Sequence, residues 1–403
     1  MADIFAAHAD SFLEACGGLV SIAKQKVLRR IIDCRTGALG AHVQRCDQCD
    51  YERRAYNSCR DRHCPKCQAA ARGEWLEAQE ARLLPVHYFH VVFTLPEPIA
   101  QMALQNKKVV YNNLMRASAE TLQTIAQDPK HLGAKIGFLS VLHTWGQNLL
   151  HHPHVHCVVT GGGLSPDRER WISCPKDYLF PVNILGSVFR GKFIQKARMD
   201  FQEGRLSFQG KLAHLNEPRA FESLLASTYR TEWVVYAKKP FGGPKKVLRY
   251  LARYTHRVAI SNSRLLTHAD GKVSFRWKDY RDGNRCKVMT LCVLEFIRRF
   301  LLHVLPKGFH RIRHYGFLAN RSTDFERCQK LLGVHRPQPP VAEALAPEDL
   351  EDRRCPKCHT GRLRTLPISP YDVEPQRHAA RPSRLLSLGV PSIRSPPLVA
   401  SAP

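Results

Sequence analysis

The chain has 403 residues, with 61 Lys or Arg against 35 Asp or Glu, and a formal charge of +26 at pH 7. Its 44% hydrophobic residues suffice for folded cores, which excludes global disorder and predicts two or three domains. No run of about 18 apolar residues occurs and the first residues lack the pattern of a secretory signal, which favours a cytoplasmic protein without a membrane segment. The excess charge indicates nucleic acid as partner, because Lys and Arg neutralise phosphates.

Apolar periodicity predicts helix over much of the first forty residues, over 69–84 and over 99–127, and a strand over 86–95 that ends before Pro96. In the central region, further strands are predicted at 136–143, 154–160, 232–237, 258–261, 273–277 and 287–291, with helices at 244–257 and 292–305. These strands return through hairpins or single helices. The sequence therefore predicts an α+β fold with a largely antiparallel sheet flanked by helices.

Fourteen cysteines in a reducing compartment favour metal ligands or buried thiols over disulfides. Three Cys-x-x-Cys pairs occur where chance gives about half of one: Cys46/Cys49, Cys64/Cys67 and Cys355/Cys358. The first two pairs have the spacing of a four-cysteine zinc ribbon, which predicts a structural Zn²⁺ on those four thiolates. Buried thiols without a metal are the alternative.

Cys59 and His63 lie between those two pairs, at a spacing that also suits a metal. A buried thiol and a surface histidine fit the pattern equally well. Because Cys355 and Cys358 have no second pair nearby, a further hypothesis joins them to Cys59 and His63 in a second zinc site. Cys34 is one more cysteine whose role the spacing leaves open.

Histidines concentrate in the predicted strand at 154–160, where His154 and His156 project from one face and Val155 from the other. A His-x-His motif arises about once by chance in a chain with this many histidines, so the strand context carries the interpretation. Two imidazoles in that geometry can hold a divalent ion and leave positions open for substrate oxygens. His143 is the first candidate for a third ligand, ahead of Gln147 and His152.

The predicted helix at 244–257 carries Tyr250 and Tyr254, which share a face because they are four residues apart. At 100° per residue the basic side of this helix adjoins the two phenols, and it consists of Arg249, Arg253 and Arg257. Two nucleophiles beside a phosphate-binding stripe are one interpretation. Two half-buried aromatics beside solvated arginines are the other.

In this order, the motifs resemble those of the two-tyrosine rolling-circle transposases of bacterial insertion sequences, the insertion-sequence-ninety-one type of the HUH endonuclease superfamily. The resemblance covers about residues 5–332 and rests on the cysteine window from Cys46 to Cys67, on His143-Thr144-Trp145, on His152-Pro153-His154-Val155-His156, and on Tyr250 with Tyr254.

The resemblance implies an HUH-like antiparallel sheet with the histidines on a central strand and the tyrosine helix nearby. It implies that Mg²⁺ or Mn²⁺ on His154, His156 and His143 polarises the scissile phosphate of single-stranded DNA at transposon ends and targets. Tyr250 or Tyr254 would then attack, giving a 5′-phosphotyrosine, while Arg249, Arg253 and Arg257 bind flanking phosphates. The zinc-binding domain would help to recognise the ends of the element. The protein would be associated with the bacterial nucleoid.

We accordingly divide the chain into a helical and zinc-binding domain (1–85), a nuclease domain (86–335) and a C-terminal segment (336–403) with one Cys-x-x-Cys pair and a disordered tail. Two other functions compete. A tyrosine recombinase would need no metal, would link to the 3′ side and would leave the histidine strand unexplained. A zinc-ribbon DNA-binding regulator would use the histidines structurally and would not cut DNA.

Overall fold

A computed structural model of the protein describes residues 1–80, 82–175, 180–238, 259–280, 282–320, 322–334 and 354–366. Its helices in these ranges are α1 (Ala2–Ala15), α2 (Ile22–Asp33), α3 (Pro65–Glu80), α4 (Glu97–Gln105), α5 (Lys107–Gln127), α6 (Val182–Gln202), α7 (Pro218–Ser227), α8 (Val293–Leu302) and α9 (Asp324–Leu331). Its strands are β1 (Ala41–Cys46), β2 (Glu52–Tyr56), β3 (Tyr88–Thr94), β4 (Lys135–Trp145), β5 (His151–Leu164), β6 (Trp171–Ser173), β7 (Val235–Lys238), β8 (Leu265–Ala269), β9 (Lys272–Asp279), β10 (Arg285–Cys292), β11 (Ile312–Gly316) and β12 (Leu363–Thr365).

The central sheet has the strand order β11-β4-β5-β3-β7, with β6 paired to β5, and its pairings are antiparallel. β5 is therefore an inner strand between β4 and β3. Two smaller antiparallel sheets accompany it, β12-β1-β2 and β10-β9-β8. The predicted α+β class with a largely antiparallel sheet flanked by helices is confirmed.

The two faces of the central sheet bury different residues, because successive side chains on a strand point to opposite sides. Val155, Cys157 and Val159 of β5 lie in the large apolar core together with residues of α4, α5 and α6. The opposite face carries His154 and His156. Farther along that face a small apolar cluster packs against Trp75 of α3.

The N-terminal helices share a core with the chain after residue 259. Phe5 of α1 meets Phe300 of α8 edge to face, with ring centroids 5.2 Å apart. Val27 and Leu28 of α2 lie in the same cluster as buried residues of β9 and α8. The N-terminal region is thus packed onto the rest of the protein through a continuous apolar core.

Some predicted elements differ from the structure. The helix predicted over 99–127 is divided at Asn106, whose backbone leaves helical geometry (φ −114°, ψ 42°). The strand predicted at 258–261 is wrong over 259–261, where Ala259 has a φ of +53° and a 3₁₀ turn follows. The helix predicted at 244–257 lies outside the described residues. No helix within them has both the length and the apolarity to cross a bilayer.

Gly316, where β11 ends, provides a test of this sheet. Its φ is +61°, and a Cβ placed there would overlap the carbonyl oxygen of Ile136 on β4. Gly316→Ala is therefore expected to lower the unfolding free energy by about 3 kcal/mol, through a strained backbone and a displaced edge strand.

The matched control is Gly191→Ala in α6, where a Cβ meets nothing within 4 Å. That change should stabilise the protein slightly, by about 0.5–1 kcal/mol, because Ala is the better helix former. Thermal and urea unfolding measure both variants. Equal stability of the two variants would contradict the observed pairing of β11 with β4.

Candidate functional site

Three histidines converge on one face of the central sheet. His143 of β4 stands directly opposite His154 of β5, and His156 is two residues farther along β5. The centroid of the His143 ring is 5.3 Å from that of His154 and 4.3 Å from that of His156. One ligand nitrogen from each ring lies within 4.8 Å of the other two. The structure thus brings the three predicted ligands together.

The two alternative third ligands are placed differently. Gln147 donates its side-chain amide to the Tyr280 hydroxyl at 3.3 Å. The carbonyl oxygen of His152 accepts a hydrogen bond from Nδ1 of His154 at 2.7 Å. His152 therefore lies beside the group and orients one of its members.

Hydrogen bonds orient the imidazoles for metal binding. A carbonyl can only accept, so the bond to His152 fixes the hydrogen of His154 on Nδ1 and leaves the Nε2 lone pair for an ion. Nδ1 of His156 lies 2.7 Å from Nε2 of His90 on β3, and the two rings are parallel within 4°. His90 was not singled out from the sequence, because only the pairing of β3 with β5 reveals it.

The electrostatics of the site favour neutral rings. Desolvation and the neighbouring His152 lower the pKa of His154 to about 3. Desolvation, together with His143 and His154, lowers the pKa of His156 well below its usual value. Because a metal ligand must offer a lone pair, the neutral His154 and His156 rings fit a divalent ion, and His143 completes the group of three.

The predicted nucleophiles cannot be placed beside these histidines. Tyr250, Tyr254, Arg249, Arg253 and Arg257 all lie outside the described residues. Their roles remain predictions. Trp145 stacks on His143 at a centroid distance of 4.8 Å and forms part of the wall around the histidine group.

The cysteines form two groups of four, each with all sulfurs within 4.8 Å of one another: Cys34, Cys59, Cys64 and Cys67 in the first group, and Cys46, Cys49, Cys355 and Cys358 in the second. In the first group the Sγ atom of Cys67 lies 3.5 Å from that of Cys34 and 3.6 Å from that of Cys59. Four sulfurs bound at about 2.3 Å to a tetrahedral Zn²⁺ stand about 3.8 Å apart. Both groups therefore fit Zn²⁺.

This arrangement corrects the predicted zinc ribbon. Cys46 and Cys49 do not share a site with Cys64 and Cys67, although the two pairs are near in sequence. The β1–β2 hairpin places the first pair beside the small sheet β12-β1-β2, whereas the second pair lies at the start of α3 and faces Cys34 at the end of α2. The proposed grouping of Cys59 and His63 with Cys355 and Cys358 is wrong for the same reason.

His63 has a structural role instead. Its Nδ1 lies 2.9 Å from Oδ1 of Asp61, and its Nε2 accepts a hydrogen bond from the Leu305 amide at 3.2 Å. Although burial opposes ionisation, hydrogen bonds from His63 and Arg30 lower the pKa of Asp61 to about 2. Both ring nitrogens of His63 are therefore occupied, and the histidine ties the cysteine loop to the end of α8.

A basic groove runs along the β1–β2 hairpin. It is lined by Arg35, His42, Gln44, Arg53, Arg54, Ala55, Tyr56, Asn57, Ser58 and Arg60. Four arginines and no acidic residue line this groove, and each of the four is exposed. We call it the hairpin groove. The overall charge predicted a nucleic-acid partner but did not predict this groove. Arg35 and Arg60 lie in loops after Cys34 and Cys59, and only the fold brings them beside Arg53 and Arg54.

Known protein families match two regions of the chain, one that contains the histidine group and one that contains the first cysteine group. Residues 137–324 match the family described as "Putative transposase", and residues 4–95 match the family "Transposase zinc-binding domain". The chain is 54% identical over 380 residues to "Putative transposase y4qJ" of Sinorhizobium fredii (strain NBRC 101917 / NGR234), covering 91% of this chain and 95% of that protein. It is 28% identical over 383 residues to "Transposase for insertion sequence element IS801" of Pseudomonas savastanoi pv. phaseolicola, covering 89% and 87%.

A solved structure, the conjugative relaxase TrwC in complex with oriT DNA in its metal-bound form, matches 41% of this chain and 70% of its own at 15% identity. Its TM-score of 0.23 does not establish a common fold.

The role of His63 can be separated from that of Cys59 by metal analysis. His63→Ala should leave the zinc content unchanged and lower the unfolding free energy by about 1–3 kcal/mol, because Asp61 and the Leu305 amide lose a buried partner. Cys59→Ser should remove the zinc ion held by the first cysteine group. A loss of zinc in the His63 variant, after normalisation to folded protein, would contradict the assignment.

Proposed function

Because the chain belongs to the zinc-binding transposases of the insertion-sequence-ninety-one type, we propose that it cuts and rejoins single-stranded DNA at the ends of its element by rolling-circle transposition through a 5′-phosphotyrosine. The observation that carries the proposal is the convergence of His143, His154 and His156 on the inner strand of an antiparallel sheet. Such a site binds a cation with open positions, which suits a phosphate substrate.

His143, His154 and His156 would hold Mn²⁺ or Mg²⁺, with His90 and the His152 carbonyl orienting two of the rings. The bound ion supplies Lewis-acid polarisation of a phosphate oxygen. Imidazole ligands favour Mn²⁺, since Mg²⁺ prefers oxygen ligands.

Tyr250 and Tyr254 remain the proposed nucleophiles. The phenol of one tyrosine gives its proton to solvent, and its oxygen forms a bond to phosphorus while the bond to the 3′ oxygen breaks. The 3′ oxygen takes a proton from solvent and leaves as a 3′-hydroxyl. The phosphotyrosine retains the energy of the broken bond, so rejoining needs no ATP. A second tyrosine allows a second cut while the first strand end is still attached.

The alternatives make different demands on the histidine site. A tyrosine recombinase has no use for three converging imidazoles, and a non-enzymatic zinc protein would be served by the cysteine groups alone. The convergence of three histidines, two of them oriented by hydrogen bonds, therefore favours the metal-dependent nuclease over both.

The first test is covalent trapping on labelled single-stranded DNA that carries the terminal sequences of the element. With Mn²⁺ we expect a protein–DNA adduct linked through the 5′ phosphate at the break, and with EDTA none. His154→Ala and the double variant Tyr250→Phe with Tyr254→Phe should each abolish it, with activity reduced at least ~10³-fold.

Two substitutions serve as matched controls. Tyr229 is an exposed tyrosine on another part of the surface, and His214 is an exposed histidine. Tyr229→Phe and His214→Ala should leave the adduct intact. An adduct that forms in EDTA, or one linked through a 3′ phosphate, would favour the recombinase. Zinc-bound protein that binds DNA and never forms an adduct would favour the regulator.

The hairpin groove provides a second contact with DNA in this proposal. Its four arginines can neutralise phosphates, and exposed Tyr56 offers a ring on which an unpaired base can stack. Arg53 and Arg54 lie on opposite faces of the β2 strand, so the groove wraps around the edge of the hairpin.

Arg53→Gln with Arg54→Gln should weaken DNA binding and reduce the slope of log K against log salt by about one to two, since each lost phosphate contact contributes about 0.7–0.9. Lys211→Gln with Arg219→Gln removes the same charge from exposed positions outside the groove and should change the slope little. Fluorescence anisotropy at several salt concentrations measures both. Equal slopes for the two double variants would place the DNA elsewhere.

A further inference from the structure

The second cysteine group joins the two ends of the described chain. Cys46 and Cys49 belong to the N-terminal hairpin, whereas Cys355 and Cys358 come more than 300 residues later. The match to the zinc-binding domain family covers residues 4–95 and contains only the first pair. We propose that the protein binds a second zinc ion at this composite site, and that this ion clips residues 354–366 onto the hairpin and is the more readily exchanged of two.

The sulfur geometry supports the metal assignment. Sγ of Cys46 lies 3.7 Å from that of Cys358, and Sγ of Cys49 lies 3.6 Å from that of Cys355. These distances match the edge of a Zn–S₄ tetrahedron, about 3.8 Å, and far exceed the ~2.05 Å bond of a disulfide. All four sulfurs lie within reach of a common centre, which two separate thiol pairs would not require.

Each Cys-x-x-Cys turn also presents backbone amides to its sulfurs. The Gln48 amide donates to Sγ of Cys46 at 3.3 Å, and the Lys357 amide donates to Sγ of Cys355 at 3.4 Å. A third amide, that of Gly361, donates to Sγ of Cys358 at 3.3 Å. Amide donors stabilise thiolates, the form in which cysteine binds zinc. The two turns are therefore built alike, although they come from distant parts of the sequence.

Close packing explains why a glycine follows the second turn. A Cβ at Gly361 would overlap the sulfur of Cys46, so the two turns can face each other only with glycine there. This contact joins the C-terminal turn to a ligand of the N-terminal turn. The fit between the turns is thus specific to the composite site.

Backbone pairing and ion pairs also help to align the two turns. β12 pairs with β1 through Cys46 and Leu363 and their neighbours, which makes the hairpin three-stranded. Asp47 accepts the Arg362 amide at 2.8 Å, and Lys357 forms an ion pair with Asp50 at 2.8 Å. These contacts align Cys355 and Cys358 with Cys46 and Cys49.

The two groups have similarly buried sulfurs but differ in the size of the apolar core around them. Cys34 and Cys64 are buried in the core shared by α1, α2 and α8, so opening the first group disrupts that core. The second group has only a small cluster around Leu363 and Tyr51, and one short strand covers it. Undocking residues 354–366 opens the second group without disturbing the larger core. A local opening with a small free energy allows faster ligand exchange. The zinc ion in the second cysteine group should therefore be released before the one in the first group.

The test is zinc release from the full-length protein into a chromogenic chelator. We expect two zinc ions per chain, released in two phases that differ in rate by about tenfold or more. Cys355→Ser with Cys358→Ser should leave one zinc and abolish only the fast phase. Cys286→Ser with Cys292→Ser replaces two exposed cysteines outside both groups and should retain both zinc ions and both phases.

A second measurement needs no variant. Wild-type protein stopped after the fast phase should become sensitive to trypsin at Arg354, Lys357, Arg362 and Arg364, while cleavage in α2 and α3 stays slow. Returning Zn²⁺ should restore protection. One zinc per chain, unchanged in the Cys355/Cys358 variant, would overturn the proposal, as would a fast phase that survives in that variant. Since neither readout involves DNA cleavage, the outcome is independent of the proposed tyrosine chemistry.

Discussion

The site depends on one constraint of sheet geometry, the register between β4 and β5. Three imidazoles can meet at one ion only if they share a face and stand one strand spacing apart, as His143, His154 and His156 do. A slip of one residue would turn the two β5 histidines into the core and bring Val155 and Cys157 to the metal face. The apolar residues that alternate with the histidines prevent this, because burying them against α4, α5 and α6 fixes the register. The core behind the sheet therefore determines the geometry in front of it.

The first cysteine group is coupled to that sheet through α3. Cys64 and Cys67 lie at the start of this helix, in one sulfur group with Cys34 at the end of α2. Farther along α3, Trp75 packs against the face of the sheet that carries the histidines. Arg62, between the ligands Cys59 and Cys64, donates to the carbonyl oxygens of Phe309 and Pro306 at 2.6 and 2.7 Å. A zinc ion in this group would stabilise a junction between the N-terminal helices and the central sheet, in addition to the loop that binds it.

The sequence predicted the parts of the site that obey local periodicity. Alternation in β5 gave the shared face of His154 and His156, and the end of the preceding strand gave His143. The cysteine partners could not be found in this way, because Cys-x-x-Cys spacing identifies a turn that presents two thiolates but does not say which other turn it meets. Cys46 and Cys49 meet Cys355 and Cys358 because β12 pairs with β1 across more than 300 residues. A strand of three residues is too short for its partner to be predicted from the sequence. His90 could not be predicted for a related reason, because its partner His156 lies on the neighbouring strand β5.

The backbone around the first cysteine group links metal binding to the hairpin groove. Arg35 and Arg60 directly follow the ligands Cys34 and Cys59, and both adopt left-handed φ values of +59° and +50°. For a residue with a Cβ this conformation costs about 1–2 kcal/mol, so the surrounding structure must enforce it. The Arg35 amide donates to the carbonyl oxygen of Asn57 at 3.0 Å, and Cys34 and Cys59 belong to one sulfur group, so both contacts hold this backbone beside the groove that the two arginines line. Two of the four groove arginines are thus next in sequence to cysteines of the first group, whose other two members, Cys64 and Cys67, lie at the start of α3.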